Sequence, residues 1–271
     1  MSLQFIDTHC HIHSVGEGSE QHTRAKWEAI GLSSEEILTR AYNAGVTRLI
    51  CVGTDLNDSK KAVAFAAGQQ NCYAAVGIHP HEAEAFFKNR AAQKEFAGLT
   101  KAPKVIAIGE CGLDYFYNHS SPSAQAEVLK FQLDLAKAAD LPLIFHVRNA
   151  FSDFWEIFNS YNNSLRGVLH SFTDSIENLE IACARGLFIG VNGIATFSKD
   201  QKQQAMYKSI PLSNLLLETD APYLTPTPYR GNINEPKQIV RVAEYLSELK
   251  GLKLDELAQA TSSNADKLFG I

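Results

Sequence analysis

His9 and His11 flank Cys10 at the end of an apolar run; Glu110 ends a second such run, and His146, His170 and Asp220 end three more. Side chains alternate along an extended strand, so His9 and His11 share a face while Cys10 points the other way. Four imidazoles and two carboxylates are a donor set for Zn²⁺, Mn²⁺ or Fe²⁺, and for Mg²⁺ where water and substrate oxygens complete the shell. Six ligands are too many for one tetrahedral catalytic ion that keeps a position open, so the count points to two divalent cations sharing a carboxylate. Glu110 is the natural bridge. The first ion then falls to His9, His11, Glu110 and Asp220, the second to Glu110, His146 and His170. Asp220 is also suited to take a proton from an attacking water.

Other residues are placed around this set by the same alternation. His79 and His81, in Gly77-Ile78-His79-Pro80-His81, end a run and are assigned supporting or substrate contacts rather than ligation. Arg148 shares a face with His146, where a guanidinium clamps a phosphate oxygen. Glu218 has the parity of Asp220 one layer deeper, where a carboxylate needs hydrogen-bond partners, so it supports the site. Cys10 and Cys111 read as packing, and His22 and His119 as loop residues.

Such an array needs strands whose carboxyl ends converge. Eight short apolar runs, roughly 4–9, 46–53, 72–79, 105–110, 142–147, 167–172, 188–193 and 215–220, are each followed by helical spacing. Ser33–Ala44, Pro122–Ala139 and Ile176–Arg185 predict amphipathic helices, and 234–269 predicts two more. Continuous apolar strands with helical crossovers imply a parallel sheet, and eight units in 271 residues suit a (β/α)₈ TIM barrel, one domain over 1–271 with C-terminal helices, better than a doubly wound sheet. The candidate ligands then lie at the C-terminal mouth. The connections 14–32, with Gly16, Gly18, His22 and Trp27, and 221–233, with Tyr223, Tyr229 and Arg230, are long and fall at that mouth.

A hydrophobic share of 45% and a charged share of 20% fit a packed globular domain, and the net charge of −5 gives no basic footprint for long-range attraction of nucleic acid. No apolar stretch is long enough for a membrane span, and the N-terminus has no leader pattern. Five cysteines without regular spacing read as reduced thiols, and with these features predict a cytoplasmic location.

The segments Phe5-Ile6-Asp7-Thr8-His9-Cys10-His11, Gly77-Ile78-His79-Pro80-His81, Gly109-Glu110-Cys111-Gly112-Leu113-Asp114-Tyr115, His146-Val147-Arg148, His170-Ser171-Phe172 and Glu218-Thr219-Asp220-Ala221-Pro222-Tyr223-Leu224 resemble, in order and spacing, the TatD family of metal-dependent deoxyribonucleases. Asn234-Glu235-Pro236 after Tyr229-Arg230-Gly231 extends the likeness. The resemblance implies a divalent-metal barrel hydrolase of DNA phosphodiesters with ligands at His9, His11, Glu110, His146, His170 and Asp220. The chain departs from the family pattern at Asn149, commonly Asp, and at Ser171, commonly Cys; neither is a ligand. The 14–32 segment also looks longer than usual.

On this basis a water activated by two cations, of which Mg²⁺, Mn²⁺ and Zn²⁺ are the candidates, attacks phosphorus in line. Asp220 and Glu110 are the catalytic carboxylates. His79, Arg148 and Arg230 hold nonbridging oxygens, Tyr223 or Trp27 stacks on a base, and single-stranded or short DNA ends are the favoured substrate. The competing enzyme reading is a metal-dependent amidohydrolase or esterase, such as an aminoacyl-linkage deacylase, because fold and metals do not fix the bond cleaved. A non-enzymatic metal-binding scaffold is disfavoured by the presence of all six ligand positions.

Overall fold

The computed structural model describes residues 3–15, 21–117, 119–161 and 164–271, the side chains of 21–25 excepted. Gly16, Gly18 and the side chain of His22 therefore lie outside the described residues. The strands are β1 Phe5–Cys10, β2 Val46–Val52, β3 Cys72–Val76, β4 Val105–Asp114, β5 Leu143–Arg148, β6 Gly167–Leu169, β7 Phe188–Val191 and β8 Leu215–Leu217. They form one sheet in chain order, with at least one helix between each pair of successive strands. That order is the (β/α)₈ TIM barrel and excludes a doubly wound sheet, in which the strand order reverses at a switch point.

The chain divides into two compact units, 1–51 with 171–271, and 52–170. In the first, all six residues of β1 are buried, as expected of a strand covered on both faces. The end of β8 meets β1 here: Thr8 Oγ1 donates to the Leu217 carbonyl at 2.9 Å, and Cys10 pairs in parallel with Ala221. The helix Ser34–Asn43 starts at a capping box, in which the Glu36 N–H donates to the Ser33 hydroxyl while Glu36 accepts from the Ser33 N–H. The segment 14–32, expected as a long connection, contains the helix Gln21–Ile30. The two C-terminal helices run Ile239–Lys250 and Leu254–Phe269, each closed by a left-handed glycine, Gly251 and Gly270. Buried Asn264 joins the second of them to β8 by donating to the Leu212 and Leu215 carbonyls.

In the second unit, β4 packs against the helix Pro122–Ala139, which begins with Pro at its first position and Ser121 as N-cap. Gln125 and Gln132 are seven residues apart, so they share one face of this helix. The Gln132 amide accepts from the Ile78 N–H and donates to the Ile78 carbonyl, and Gln125 does the same to Asp114. Both amides are buried, and each fixes the backbone just beside a candidate functional residue.

Several strand ends differ from the sequence-based boundaries. β4 continues to Asp114, four residues past Glu110, whereas β3 stops at Val76, β6 at Leu169, β7 at Val191 and β8 at Leu217. His79, His170 and Asp220 therefore stand on the turns that follow their strands. Ser171 and Asp220 have left-handed backbone, at φ 50° and 55°, which ends the alternation that extended chain would continue.

Candidate active site

In the unit of 1–51 with 171–271, His9, His11 and Asp220 come together. Asp220 N–H donates to the His9 carbonyl and His11 N–H to the Ala221 carbonyl, both at 2.8 Å, so the main chain itself sets their spacing. Asp220 Oδ1 then lies 3.7 Å from His9 Nε2 and 3.3 Å from His11 Nε2. The three donor atoms fall within 4.8 Å of one another, as ligands of a single cation must. The β1 alternation holds: Cys10 is buried with its thiol toward the Ile50 carbonyl, away from the imidazoles.

Two buried carboxylates back this group. Asp7 accepts the Thr219 N–H at 2.9 Å and the Thr219 hydroxyl at 2.5 Å. Burial pushes its carboxyl up to about 8, against the hydrogen bonds from Thr219 and the His9 N–H. Glu218, 1% exposed, accepts from the Ser171 N–H at 2.7 Å and the Asn192 amide at 3.1 Å, the supporting role expected of it. A Cβ on Gly190 would come within 2.4 Å of the Glu218 carboxylate, so the absence of a side chain there makes its room.

The unit of 52–170 gathers His79, Glu110 and His146, again with donor atoms within 4.8 Å of one another. Glu110 Oε1 lies 2.7 Å from His146 Nδ1, 3.8 Å from His79 Nε2 and 3.9 Å from His170 Nε2. His79 thus stands as near the carboxylate as His170 does, closer than a supporting role required. Burial opposes ionisation of Glu110, but the charge of His170 and the hydrogen bond from His146 outweigh it and hold the carboxyl well below its usual range. His79 is driven the other way, well below the usual imidazole range, by burial and the positive charge of His146. A carboxylate facing three imidazoles suits a divalent cation, as does the mixed nitrogen and oxygen donor set of His9, His11 and Asp220.

Asp114 is the functional residue that spacing did not single out. It is fully buried, and its Oδ2 lies 3.0 Å from His146 Nε2 and 3.1 Å from His81 Nε2. His146 is therefore held between two carboxylates; burial disfavours its charge, yet the bonds to Asp114 and Glu110 raise it to about 9. Burial likewise opposes ionisation of Asp114, and the bonds from His146 and His81 reverse this and keep it a carboxylate. A carboxylate behind a ligating histidine fixes its tautomer and ring orientation. The signal was available in principle: Asp114 is four residues beyond Glu110 and has its parity. The glycines of these motifs serve close packing, since a Cβ on Gly112 would meet the His146 carbonyl at 1.8 Å and one on Gly77 the Gly109 backbone at 2.1 Å.

The expected substrate residues fare differently. Tyr223 lies edge-on to His11, ring centroids 6.1 Å apart, with Lys26 Nζ 5.5 Å from its ring. Trp27 is 1% exposed and donates its indole N–H to the His11 carbonyl, so it braces the backbone at His11 and has no face open for a base. Arg230 lies over the Phe197 ring at 3.7 Å and donates to the Thr225 carbonyl. Arg148 is exposed at the end of β5 and covers the Phe116 ring at 4.1 Å.

The model of the family described as TatD related DNase matches residues 6–270. The 3'-5' ssDNA/RNA exonuclease TatD of Citrobacter rodentium is 35% identical over 243 residues, 88% of this chain and 92% of its own length. The metal-dependent hydrolase YabD of Bacillus subtilis is 35% identical over 268 residues, 98% of this chain and 99% of its own. Among solved structures, the Escherichia coli TatD homologue YJJV superposes with a TM-score of 0.86 at 32% identity, covering 98% of each chain. The chain belongs to the TatD family of metal-dependent DNases and hydrolases.

Proposed function

We propose that residues 1–271 act as one cytoplasmic hydrolase that cleaves phosphodiester bonds of single-stranded DNA, working from an end with two divalent cations. The observation that carries this is the presence of metal-donor groups in each compact unit, His9–His11–Asp220 in one and His79–Glu110–His146 in the other, in a chain 35% identical to a named single-strand exonuclease. His9, His11 and Asp220 would hold one cation, and Glu110, His146 and His170 the other. Bound divalent cations supply Lewis acidity and lower the pKa of water. Asp220 accepts the proton of the attacking water, and its left-handed backbone, tied to His9, keeps that carboxylate in place. Asp114 holds His146 at Nε2 and so fixes the ring, leaving Nδ1, on the side of Glu110, as the nitrogen that would face the cation. His79, Arg148 and Arg230 contact phosphate oxygens, and Tyr223, beside His11, meets a base or sugar.

The test is hydrolysis of end-labelled single-stranded DNA by metal-stripped protein titrated with Mg²⁺, Mn²⁺ and Zn²⁺, alongside Glu110→Ala and Asp220→Asn. Metal-dependent stepwise shortening, lost in both variants, is the expected result and gives the polarity. Absence of cleavage with every cation, together with turnover of an aminoacyl ester or amide by the same preparation, overturns the nuclease in favour of a carbon-centred hydrolase.

A further inference from the structure

The turn after β4 carries two adjacent, exposed aromatic residues, Phe116 and Tyr117, 51% and 50% exposed. Scattered apolar side chains on a surface are ordinary, but these two sit edge to face at 4.8 Å and are joined by others. The Arg148 guanidinium lies over both, 4.1 Å from Phe116 and 4.9 Å from Tyr117, and His119 stacks on Tyr117 at an interplanar angle of 21°. The cluster is also anchored. Phe116 and Tyr117 donate their N–H groups to Asp114 Oδ1, at 2.9 and 3.2 Å, while the other oxygen of the same carboxylate orients His146 and His81. A single buried side chain therefore fixes both the histidine of the proposed metal group and an aromatic shelf beside it.

We infer that Phe116, Tyr117 and Arg148 form a stacking subsite for a nucleobase of the single-stranded substrate, an inference that rests on the phosphodiesterase reading above. Aromatic faces take any base, because every base offers a π surface, which gives tolerance of sequence. Arg148 adds a local positive charge for a polyanion on a chain whose net charge is −5. A guanidinium stacked by its face keeps in-plane N–H donors for the adjoining phosphate. Because the turn is held by Asp114, little ordering is required on binding.

The test is equilibrium binding by fluorescence anisotropy, in metal-loaded protein, of an end-labelled oligothymidylate and an abasic deoxyribose-phosphate strand of equal length. The expected result is that the native protein prefers the base-bearing strand, and that Phe116→Ala/Tyr117→Ala lowers this preference about tenfold, the order expected for loss of one stacked base. Phe116→Trp/Tyr117→Trp restores it, and circular dichroism of the variants checks that the fold is kept. Equal binding of both strands by the native protein, or a preference that survives the double alanine change, overturns the inference. It is equally overturned if light scattering shows that the alanine variant merely dissociates a dimer, for then a second copy covers the shelf. A preference that behaves as expected, in protein that cleaves nothing with any cation, upholds the shelf and overturns only the nuclease reading.

Discussion

The group of His9, His11 and Asp220 and the group of His79, Glu110 and His146 offer a cation similar donors but are built differently. The first is spaced by main-chain hydrogen bonds, Asp220 to His9 and His11 to Ala221, with buried Asp7 and Glu218 holding backbone and neighbouring turns. The second is spaced by side-chain charge, a line in which His146 stands between Glu110 and Asp114. Main-chain bonds survive replacement of a side chain; a line of mutually compensating charges does not. Changes in the first group should therefore act on chemistry alone, and changes in the second on chemistry and on stability together.

The strongest test is the pair Glu110→Ala and Asp220→Asn. Both should lower turnover of single-stranded DNA by about a thousandfold or more, as loss of a group acting in the transition state does. Only Glu110→Ala should also lower the melting temperature of the metal-free protein, because it takes from His146 Nδ1 its carboxylate partner; Asn tolerates the left-handed backbone at 220. Equal melting temperatures would break the comparison.

A second contrast concerns the supporting carboxylates. Asp114→Asn should weaken metal affinity roughly 10- to 100-fold in a calorimetric titration, since the charge behind His146 is lost. Glu218→Gln should weaken it far less, because an amide oxygen can still accept from Ser171 and Asn192. If the two effects are alike, charge rather than geometry supports both groups.

Smaller still is the effect expected at Asn234, fully buried, which donates to the Thr219 and Tyr223 carbonyls on either side of Asp220. Asn234→Ala should cost about 1–3 kcal/mol in denaturant unfolding by leaving these carbonyls unsatisfied. The least effect belongs to the buried thiols. Cys10→Ala and Cys111→Ala, one beside each group, should leave metal content unchanged and turnover within about twofold, which is measured by metal analysis and initial rates.

Much of this was legible from residue order. Parallel strands buried on both faces leave continuous apolar runs, and a barrel gathers function at one end of each run, so His9, His11, Glu110 and His146 could be named as candidate donors from position. Alternation was sound within β1 but failed at β8: that strand ends at Leu217, and Asp220 reaches His9 through a left-handed turn, not through extended parity. Trp27 was misread as a stacking surface because aromatic character does not reveal burial.

What the sequence determined by itself is the inventory: eight strand-helix units, the donor residues at their ends, and the family to which they belong, all carried by local periodicity and spacing. What only the tertiary structure decided is the company those residues keep. That Asp114 stands behind His146, that Gln125 and Gln132 clamp the backbone beside the site, and that Phe116 and Tyr117 lie exposed under Arg148 depend on partners distant in the chain. Burial and charge compensation are properties of packing, and no local pattern encodes them.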